Sequence, residues 1–205
     1  MAYRNITVAT QEGVRTITLN RPERLNAWNQ GMEDEYRQAV LGAEAALSGA
    51  TVRANEVAEH RAELVRRSVE ATPETVEVVS HDGRDDDAFG GGAFDRILVD
   101  APCSGLGALR RRPEARWRKQ PTDLPALTEL QGELLEAAVP HLASGGLLAY
   151  VTCSPHRAET RIVLDGLLKR HSELREVDAK HVLNEVSRGE LDLAGGALHA
   201  QLWPH

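Results

Sequence analysis

The sequence predicts an α/β protein built around a Rossmann-like, doubly wound and mostly parallel sheet. From residue 51 onward, short apolar runs of strand length alternate with longer amphipathic segments of helix length. Strands that alternate with helices at this spacing pair in parallel through right-handed crossovers. With 205 residues and 41% hydrophobic content, the chain is long enough for one such core and too short for two domains of ordinary size.

The individual elements follow from local patterns. Residues 6–9 and 16–19 are β-branched runs around a polar turn with Gly13, which predicts a hairpin, and residues 32–47 show the apolar spacing of an amphipathic helix. Beyond Asp178 the pattern weakens, and we assign only a strand near residues 198–203. The other elements are predicted from the same two patterns, apolar runs of strand length and apolar residues at helical spacing. They are strands at 52–57, 76–79, 94–100 and 147–151, and helices at about 59–69, 124–142 and 158–171.

Charge and composition limit the classes of partner. A balance of 24 basic and 31 acidic residues gives a formal charge of −7, which argues against non-specific binding of nucleic acid by the whole surface. Two cysteines make no disulfide framework, no apolar run approaches the roughly 20 residues of a bilayer crossing, and the start lacks the pattern of a secretory signal. We expect a soluble, cytoplasmic protein, and we predict no metal site.

One local basic patch stands against the acidic balance. It surrounds Trp117 and is opposed only by Glu114, and it is either a solvated face or a contact for a polyanion. Its members are Arg110, Arg111, Arg112, Arg116, Arg118 and Lys119.

Polar side chains follow four of the predicted strands. Ligands of a doubly wound sheet bind outside the carboxyl ends of its strands. The four segments are 55–56, 81–83, 100–103 and 152–155, so Cys103 and Cys153 fall on one rim. A lone cysteine is more often a small buried hydrophobe, but the shared placement favours a functional role. We therefore expect the two thiols to be near neighbours.

Three motifs carry a family resemblance. Residues 94–107 contain Asp-Ala-Pro-Cys, residues 111–117 read Arg-Arg-Pro-Glu-Ala-Arg-Trp, and residues 150–155 read Tyr-Val-Thr-Cys-Ser-Pro. Together they resemble the Sun (Fmu) family of RNA 5-methylcytosine methyltransferases over residues 52–205, most closely the bacterial enzymes that act on small-subunit ribosomal RNA. The resemblance implies a class I methyltransferase fold, S-adenosylmethionine as cofactor and ribosomal RNA as partner.

The chemistry of that family explains the residue types. Cytosine C5 is a poor nucleophile until a thiolate adds to C6, which turns C5 into an enamine carbon able to attack a methyl group. By resemblance, Cys153 is the nucleophile, Cys103 assists product release and Asp100 contacts the edge of the cytosine ring. Glu56 is placed to hold ribose hydroxyls, and Asp82 matches a residue near the adenine. The expected cofactor-binding residues are Glu56, Asp82 and Asp100, with helix capping or solvent exposure as the alternative for isolated acidic residues at strand ends.

The resemblance also gives the basic patch a purpose. Phosphate contacts position an RNA, so the patch becomes the expected RNA-binding segment. An aromatic side chain in such a segment either stacks on a base or packs locally, and for Trp117 we favour packing.

The first 45 residues depart from this family. Residues 17–29 resemble the amino terminus of the crotonase (enoyl-CoA hydratase) superfamily, in which Arg24 and Ala27 would belong to the CoA site. No Ala-Pro-Gly-Gly-Lys type loop, which cradles the methionine end of the cofactor, precedes Val52. We expect a crotonase-like hairpin and helix to replace the first strand, loop and helix. The predicted boundaries are 1–46 for this segment and 47–205 for a methyltransferase domain truncated at both ends.

Three functions remain open on the sequence. The leading one is methylation of cytosine C5 in ribosomal RNA through a cysteine–C6 intermediate, impaired here by the missing glycine loop. The second is a crotonase-type acyl-CoA hydratase or binder. The third is a catalytically inert chimera. Calorimetric binding of S-adenosylmethionine against a CoA thioester distinguishes these classes.

Overall fold

The computed structural model describes residues 6–11, 14–19, 51–69, 76–109, 113, 117, 120–187, 191, 193 and 198–201. The chain divides into two compact units, residues 1–92 and residues 93–205. Within the described part, no helix is both long and apolar enough to cross a bilayer. The helix predicted at residues 32–47 lies outside the described residues.

An antiparallel strand pair begins the first unit. Strand β1 (Ile6–Gln11) pairs with β2 (Val14–Leu19) in a register that sets Ile6 opposite Leu19 and Gln11 opposite Val14. Residues branched at Cβ favour this extended backbone. The predicted hairpin is confirmed, and each strand extends closer to the turn than the sequence pattern indicated.

A parallel strand pair with an intervening helix forms the other described part of the first unit. Strand β3 (Val52–Asn55) pairs with β4 (Val76–Val79), and helix α1 (Glu59–Ser68) lies between them in the chain. Glu59 occupies the first turn of α1 and two arginines the last, which complements the helix dipole. This unit therefore contains one of the predicted strand–helix–strand crossovers.

Arg53 on β3 holds the acidic loop that follows β4. Its guanidinium donates to the carbonyl oxygens of Ala88 at 2.8 Å and Asp87 at 2.9 Å, and pairs with Glu77 at 2.5 Å. Gly90 packs over the same guanidinium with a φ of 63°, and a Cβ there would lie 2.9 Å from Cζ of Arg53. The loop thus requires a glycine at position 90, because the backbone is left-handed there and because a side chain would meet Arg53.

The second unit contains the other parallel pair. Strand β5 (Phe94–Asp100) pairs with β6 (Leu142–Val151), and helix α2 (Leu124–Ala138) with a 3-10 turn at Val139–His141 leads from one to the other. The prediction that β6 begins at residue 147, after a glycine turn, is wrong. Gly145, with a φ of 76°, lies inside β6 and accommodates a register irregularity opposite the start of β5.

The core of the second unit lies on one face of this pair. Leu135 of α2 and Leu167 of helix α3 (Arg161–Arg170) are buried and pack against side chains that include Val99 and Tyr150. Side chains alternate between the faces of a strand, and Leu98 on the opposite face is accordingly 68% exposed. An α/β fold with parallel strands is confirmed. The described strands pair as three two-stranded sheets.

The carboxyl-terminal region departs from the prediction. Helix α4 (Ala179–Val186) was missed, although Asp178 caps it by accepting from the backbone N–H of Lys180 at 3.0 Å. Aspartate at the residue that precedes a helix is a recognised helix-start signal. Residues 198–201, the described part of the predicted strand at 198–203, form no strand. Instead the carbonyl of Leu198 accepts a hydrogen bond of 2.8 Å from the N–H of Ala179.

Candidate active site at the carboxyl ends of two strands

The two cysteines meet just beyond the ends of β5 and β6. The Sγ atoms of Cys103 and Cys153 lie 3.3 Å apart, within hydrogen-bonding distance for sulfur, and both thiols are free. Cys103 is half-buried and Cys153 is exposed. The expectation that the two thiols are near neighbours at one rim is confirmed, while the roles assigned to them remain predictions.

Backbone hydrogen bonds hold the two cysteine loops together, namely the loop after β5 that carries Cys103 and the loop after β6 that carries Cys153. Ala101 N–H donates to the carbonyl of Val151 at 3.0 Å, which continues the strand pairing past the end of β5. Further along, Gly107 N–H donates to the carbonyl of Cys153 at 2.9 Å. Between these contacts the chain turns at Gly105, whose φ of 72° suits glycine. Each loop is thereby fixed to the other on both sides of Cys103.

A buried glutamate lies beneath both loops. Glu159 is fully buried. Its carboxylate accepts from the N–H of Ser104 at 2.6 Å, from the hydroxyls of Ser104 and Ser154 at 2.5 and 2.6 Å, and from the amide of Gln131 at 3.4 Å. The same amide donates to the carbonyl of Pro102 at 2.7 Å. One carboxylate therefore contacts the residue that follows each cysteine.

Burial and proximity distinguish the two thiols. Burial raises the pKa of Cys103 to about 11, and the neighbouring sulfur of Cys153 adds to the effect. At neutral pH, Cys103 is therefore a protonated thiol that can donate to Cys153. Since the thiolate is the reactive form of cysteine, the exposed sulfur of Cys153 is the better placed nucleophile of the two.

Asp100 ends β5 immediately before the first cysteine loop. Its side chain is exposed at the same rim. A carboxylate there can meet a ligand that approaches Cys153, but its predicted contact with a cytosine ring remains a prediction.

Two of the three acidic residues predicted to hold a cofactor, Glu56 and Asp82, lie in the first unit and have protein partners, while the same role for Asp100 remains a prediction. Oε1 of Glu56 accepts from the N–H of Ala58 at 2.9 Å, near the start of α1, and from Arg61 at 2.8 Å. Asp82 is held by Arg84, whose side chain donates to its two oxygens at 2.9 and 2.6 Å. These bonds from Arg84 lower the pKa of Asp82 to about 2. Glu56 thus makes the helix-start contact considered as its alternative role.

Asn55 ties the ends of β3 and β4 to each other. Its amide donates to the carbonyl of His81 at 3.1 Å and accepts from the N–H of the same residue at 3.0 Å. Glu56 directly follows Asn55, and Asp82 directly follows His81. This bridge therefore holds Glu56 and Asp82 near one end of the strand pair.

The predicted RNA-binding residues, Arg110, Arg111, Arg112, Arg116, Arg118 and Lys119, all lie outside the described residues. Trp117 among them is described, and its side chain is 77% exposed. The interpretation of Trp117 as a packing residue is therefore wrong. The mixture of charges and prolines around it offers no apolar partner in sequence, which was a usable signal of exposure.

Sequence patterns missed Glu159 and Gln131 altogether. Residues 158–171 were predicted as one helix, in which a glutamate next to polar residues suggests an exposed face. Instead a 3-10 turn at Arg157–Glu159 precedes α3, with a break at Thr160, and it directs the carboxylate inward. The available signal was a pair of serines, each directly after a cysteine, since buried hydroxyls require partners.

Comparison with known proteins matches most of the chain to one family. The 16S rRNA methyltransferase RsmB/F family matches residues 42–205. A protein of Mycobacterium tuberculosis strain H37Rv, named as a methyltransferase, is 46% identical over 169 residues, which are 82% of this chain and 35% of that protein. Ribosomal RNA small subunit methyltransferase B of Serratia proteamaculans is 39% identical over 130 residues, which are 63% of this chain and 30% of that one. The chain thus spans about a third of the length of these curated relatives.

Solved structures show the same fold at low sequence identity. The crystal structure of PH0851 aligns with a TM-score of 0.60 at 22% identity, covering 81% of this chain and 45% of that one. NSun6 from Pyrococcus horikoshii with SFG aligns with a TM-score of 0.55 at 24% identity, covering 63% and 34%. The resemblance of residues 1–45 to crotonases remains a prediction, because the family match begins at residue 42 and most of that segment lies outside the described residues.

Proposed function

Because this chain belongs to the 16S rRNA methyltransferase RsmB/F family, we propose that its thiol pair serves methyl transfer from S-adenosylmethionine to C5 of cytosine in small-subunit ribosomal RNA. The observation that carries the proposal is the 3.3 Å separation of two free thiols at adjoining strand ends. A reaction that first adds and later expels a sulfur nucleophile needs a second group at this distance that can donate and accept protons.

The first step belongs to Cys153. Its thiolate adds to C6 of cytosine, a sulfur–carbon bond forms, and the ring electrons move to C5. The exposure of Cys153 leaves it accessible to a base taken out of its stack, and the thiol of Cys103 donates to the sulfur before attack. Asp100, exposed at the same rim, hydrogen-bonds the protonated ring edge and so favours the addition.

The second step is release. After C5 takes the methyl group it still carries its proton, and removal of that proton returns the electrons to the ring and breaks the bond from C6 to Cys153. Cys103 first releases its own thiol proton to water, and its thiolate then accepts the C5 proton, directly or through a water molecule. Once Cys153 is a thioether it no longer opposes ionisation of Cys103, so one of the two causes that raise its pKa is removed. Burial remains as a cause that raises the pKa of Cys103.

The cofactor of this family is S-adenosylmethionine, and SFG, held by one structural relative, is an analogue of it. The methyl group comes from its sulfonium, which makes that carbon electrophilic. The donor set at the ends of β3 and β4 fits its nucleoside. A carboxylate has about four acceptor sites, so Glu56 and Asp82 retain capacity for ribose hydroxyls and an adenine amine beyond their arginine contacts.

A denaturing gel with labelled RNA and cofactor tests this division of roles. Cys153→Ala should abolish methylation and adduct formation, because C5 never becomes nucleophilic. Cys103→Ala should methylate yet leave a protein–RNA adduct that survives denaturation, because the C5 proton stays in place. An adduct from the Cys153 variant and none from the Cys103 variant would mean that the roles are reversed.

A further inference from the structure

The carboxylate of Glu159 joins the two loops that carry the thiols. Ser104 is covalently next to Cys103, and Ser154 is covalently next to Cys153. Glu159 accepts hydrogen bonds from both serine hydroxyls, at 2.5 and 2.6 Å, and from the backbone N–H of Ser104 at 2.6 Å. Ser154 is 6% exposed and Glu159 is 0% exposed, so water does not compete for these bonds.

From this arrangement we infer that Glu159 is a positioning residue that sets the separation of the Cys103 and Cys153 thiols. It does not touch the reacting atoms. It acts through the two serines, and through Gln131, whose amide donates both to Glu159 and to the carbonyl that precedes Cys103.

An ionised carboxylate suits this task better than any neutral side chain. It accepts at both oxygens without donating, and the groups that face it are all donors: one backbone N–H, two hydroxyls and one amide. Burial opposes ionisation of Glu159, but the hydrogen bonds from Ser104, Ser154 and Gln131 outweigh it, and the pKa of Glu159 lies below its usual range. Bonds to a charged acceptor are roughly twice as strong as neutral ones.

The remaining contacts between the loops run through the backbone. Gly107 N–H donates to the carbonyl of Cys153, and Ala101 N–H donates to the carbonyl of Val151. Neither bond involves the side chain of Ser104 or Ser154. Without the carboxylate, the hydroxyls of Ser104 and Ser154, 3.1 Å apart, would hold the loops through one weak mutual bond.

The separation of the thiols can be measured without methyl transfer. Phenylarsine oxide condenses with two neighbouring thiols: two sulfur–arsenic bonds form, and the oxide leaves as water with the two thiol protons. The chain contains two cysteines, so capture of one equivalent reports on this pair alone. Cys103→Ala, which retains a single thiol, sets the lower limit of affinity.

Three variants of the full chain decide the inference, each tested well below its unfolding temperature. Glu159→Ala and Ser154→Ala should weaken capture about tenfold or more, because each removes a hydrogen bond to a charged group. Glu159→Gln, which keeps one acceptor oxygen, should fall between Glu159→Ala and wild type. Glu129→Gln, an exposed position on α2, is the matched control and should leave capture unchanged.

Wild-type capture by folded Glu159→Gln and Ser154→Ala would overturn the inference, and either variant decides it if Glu159→Ala does not fold. The catalytic consequence rests on the proposed function: the Glu159 and Ser154 variants should lose kcat with little change in KM for RNA. If wild type transfers no methyl group, the proposed function fails while the arsenical result still stands.

Discussion

Gly107 lies where no side chain fits, and this makes the joining of the two cysteine loops testable. A Cβ at this position would lie 2.9 Å from the carbonyl oxygen of Cys153, 3.4 Å from its carbon and 3.7 Å from Cδ of Pro155. Ordinary contact begins near 3.4 Å, so the loops must separate by about 0.5 Å to admit the methyl group. Overpacking of this kind costs about 1–3 kcal/mol, and we expect Gly107→Ala to lose that much free energy of unfolding.

Gly132, inside α2, supplies the matched control, because the same substitution there should raise the free energy of unfolding. A Cβ there meets nothing within 4 Å, and alanine is favoured over glycine in a helix interior by about 0.5–1 kcal/mol. Urea titrations followed by circular dichroism should therefore show Gly107→Ala below wild type and Gly132→Ala above it. A Gly107→Ala protein as stable as wild type would refute the close approach of the loops. Unchanged capture of phenylarsine oxide by Gly107→Ala would refute the link between the approach of the loops and the separation of the thiols.

Other perturbations follow from single contacts. Glu136 raises the pKa of His171 through a hydrogen bond. This bond therefore stabilises the folded state fully below the unfolded pKa of 6.5, and the stabilisation is lost as the pH rises through the higher pKa of the folded state. Urea titrations from about pH 6 to about pH 9 should show this loss in wild type and not in His171→Gln. Gly91→Ala should cost about 1 kcal/mol for its left-handed backbone, and Gly90→Ala more, because its Cβ also meets Arg53; equal losses would contradict that contact. By calorimetry, S-adenosylmethionine should bind about a hundredfold or more weaker than to a relative with the glycine loop, because the predicted absence of that loop would remove several hydrogen bonds of about 1 kcal/mol each; low-micromolar binding would contradict this.

The ends of strands were the most predictable part of the structure. Strands β4 and β5 have the bounds that their β-branched runs indicated, because such runs end where polar or proline-containing segments begin. Parallel pairing then brings residues just past the strand ends to one edge. The neighbouring thiols of Cys103 and Cys153 followed from this local rule together with the family resemblance.

Features that depend on tertiary contacts were not predictable from local patterns. The carboxylate of Glu159 is buried because its partners come from loops distant in sequence, and no periodicity marks that. The sequence predicts that this strand begins at residue 147, whereas β6 begins at Leu142 and includes Gly145 at the irregularity in its pairing with β5. Helix α4 is short, and its capping by Asp178 was overlooked beside a weak apolar pattern.

The register of β5 and β6 governs which changes of chain length the site tolerates. Asp100 faces Val151 in the strand pairing, and beyond the strands Cys103 contacts Cys153 and Ser104 contacts Ser154, which is a shift of one residue in the alignment. An insertion or deletion in the crossover before α2 leaves this phase intact, because both strands keep their partners. One extra residue between Asp100 and Cys103 would shift one thiol past the other. We therefore expect the site to tolerate changes of length in the crossover and not in the three-residue spacing between Asp100 and Cys103.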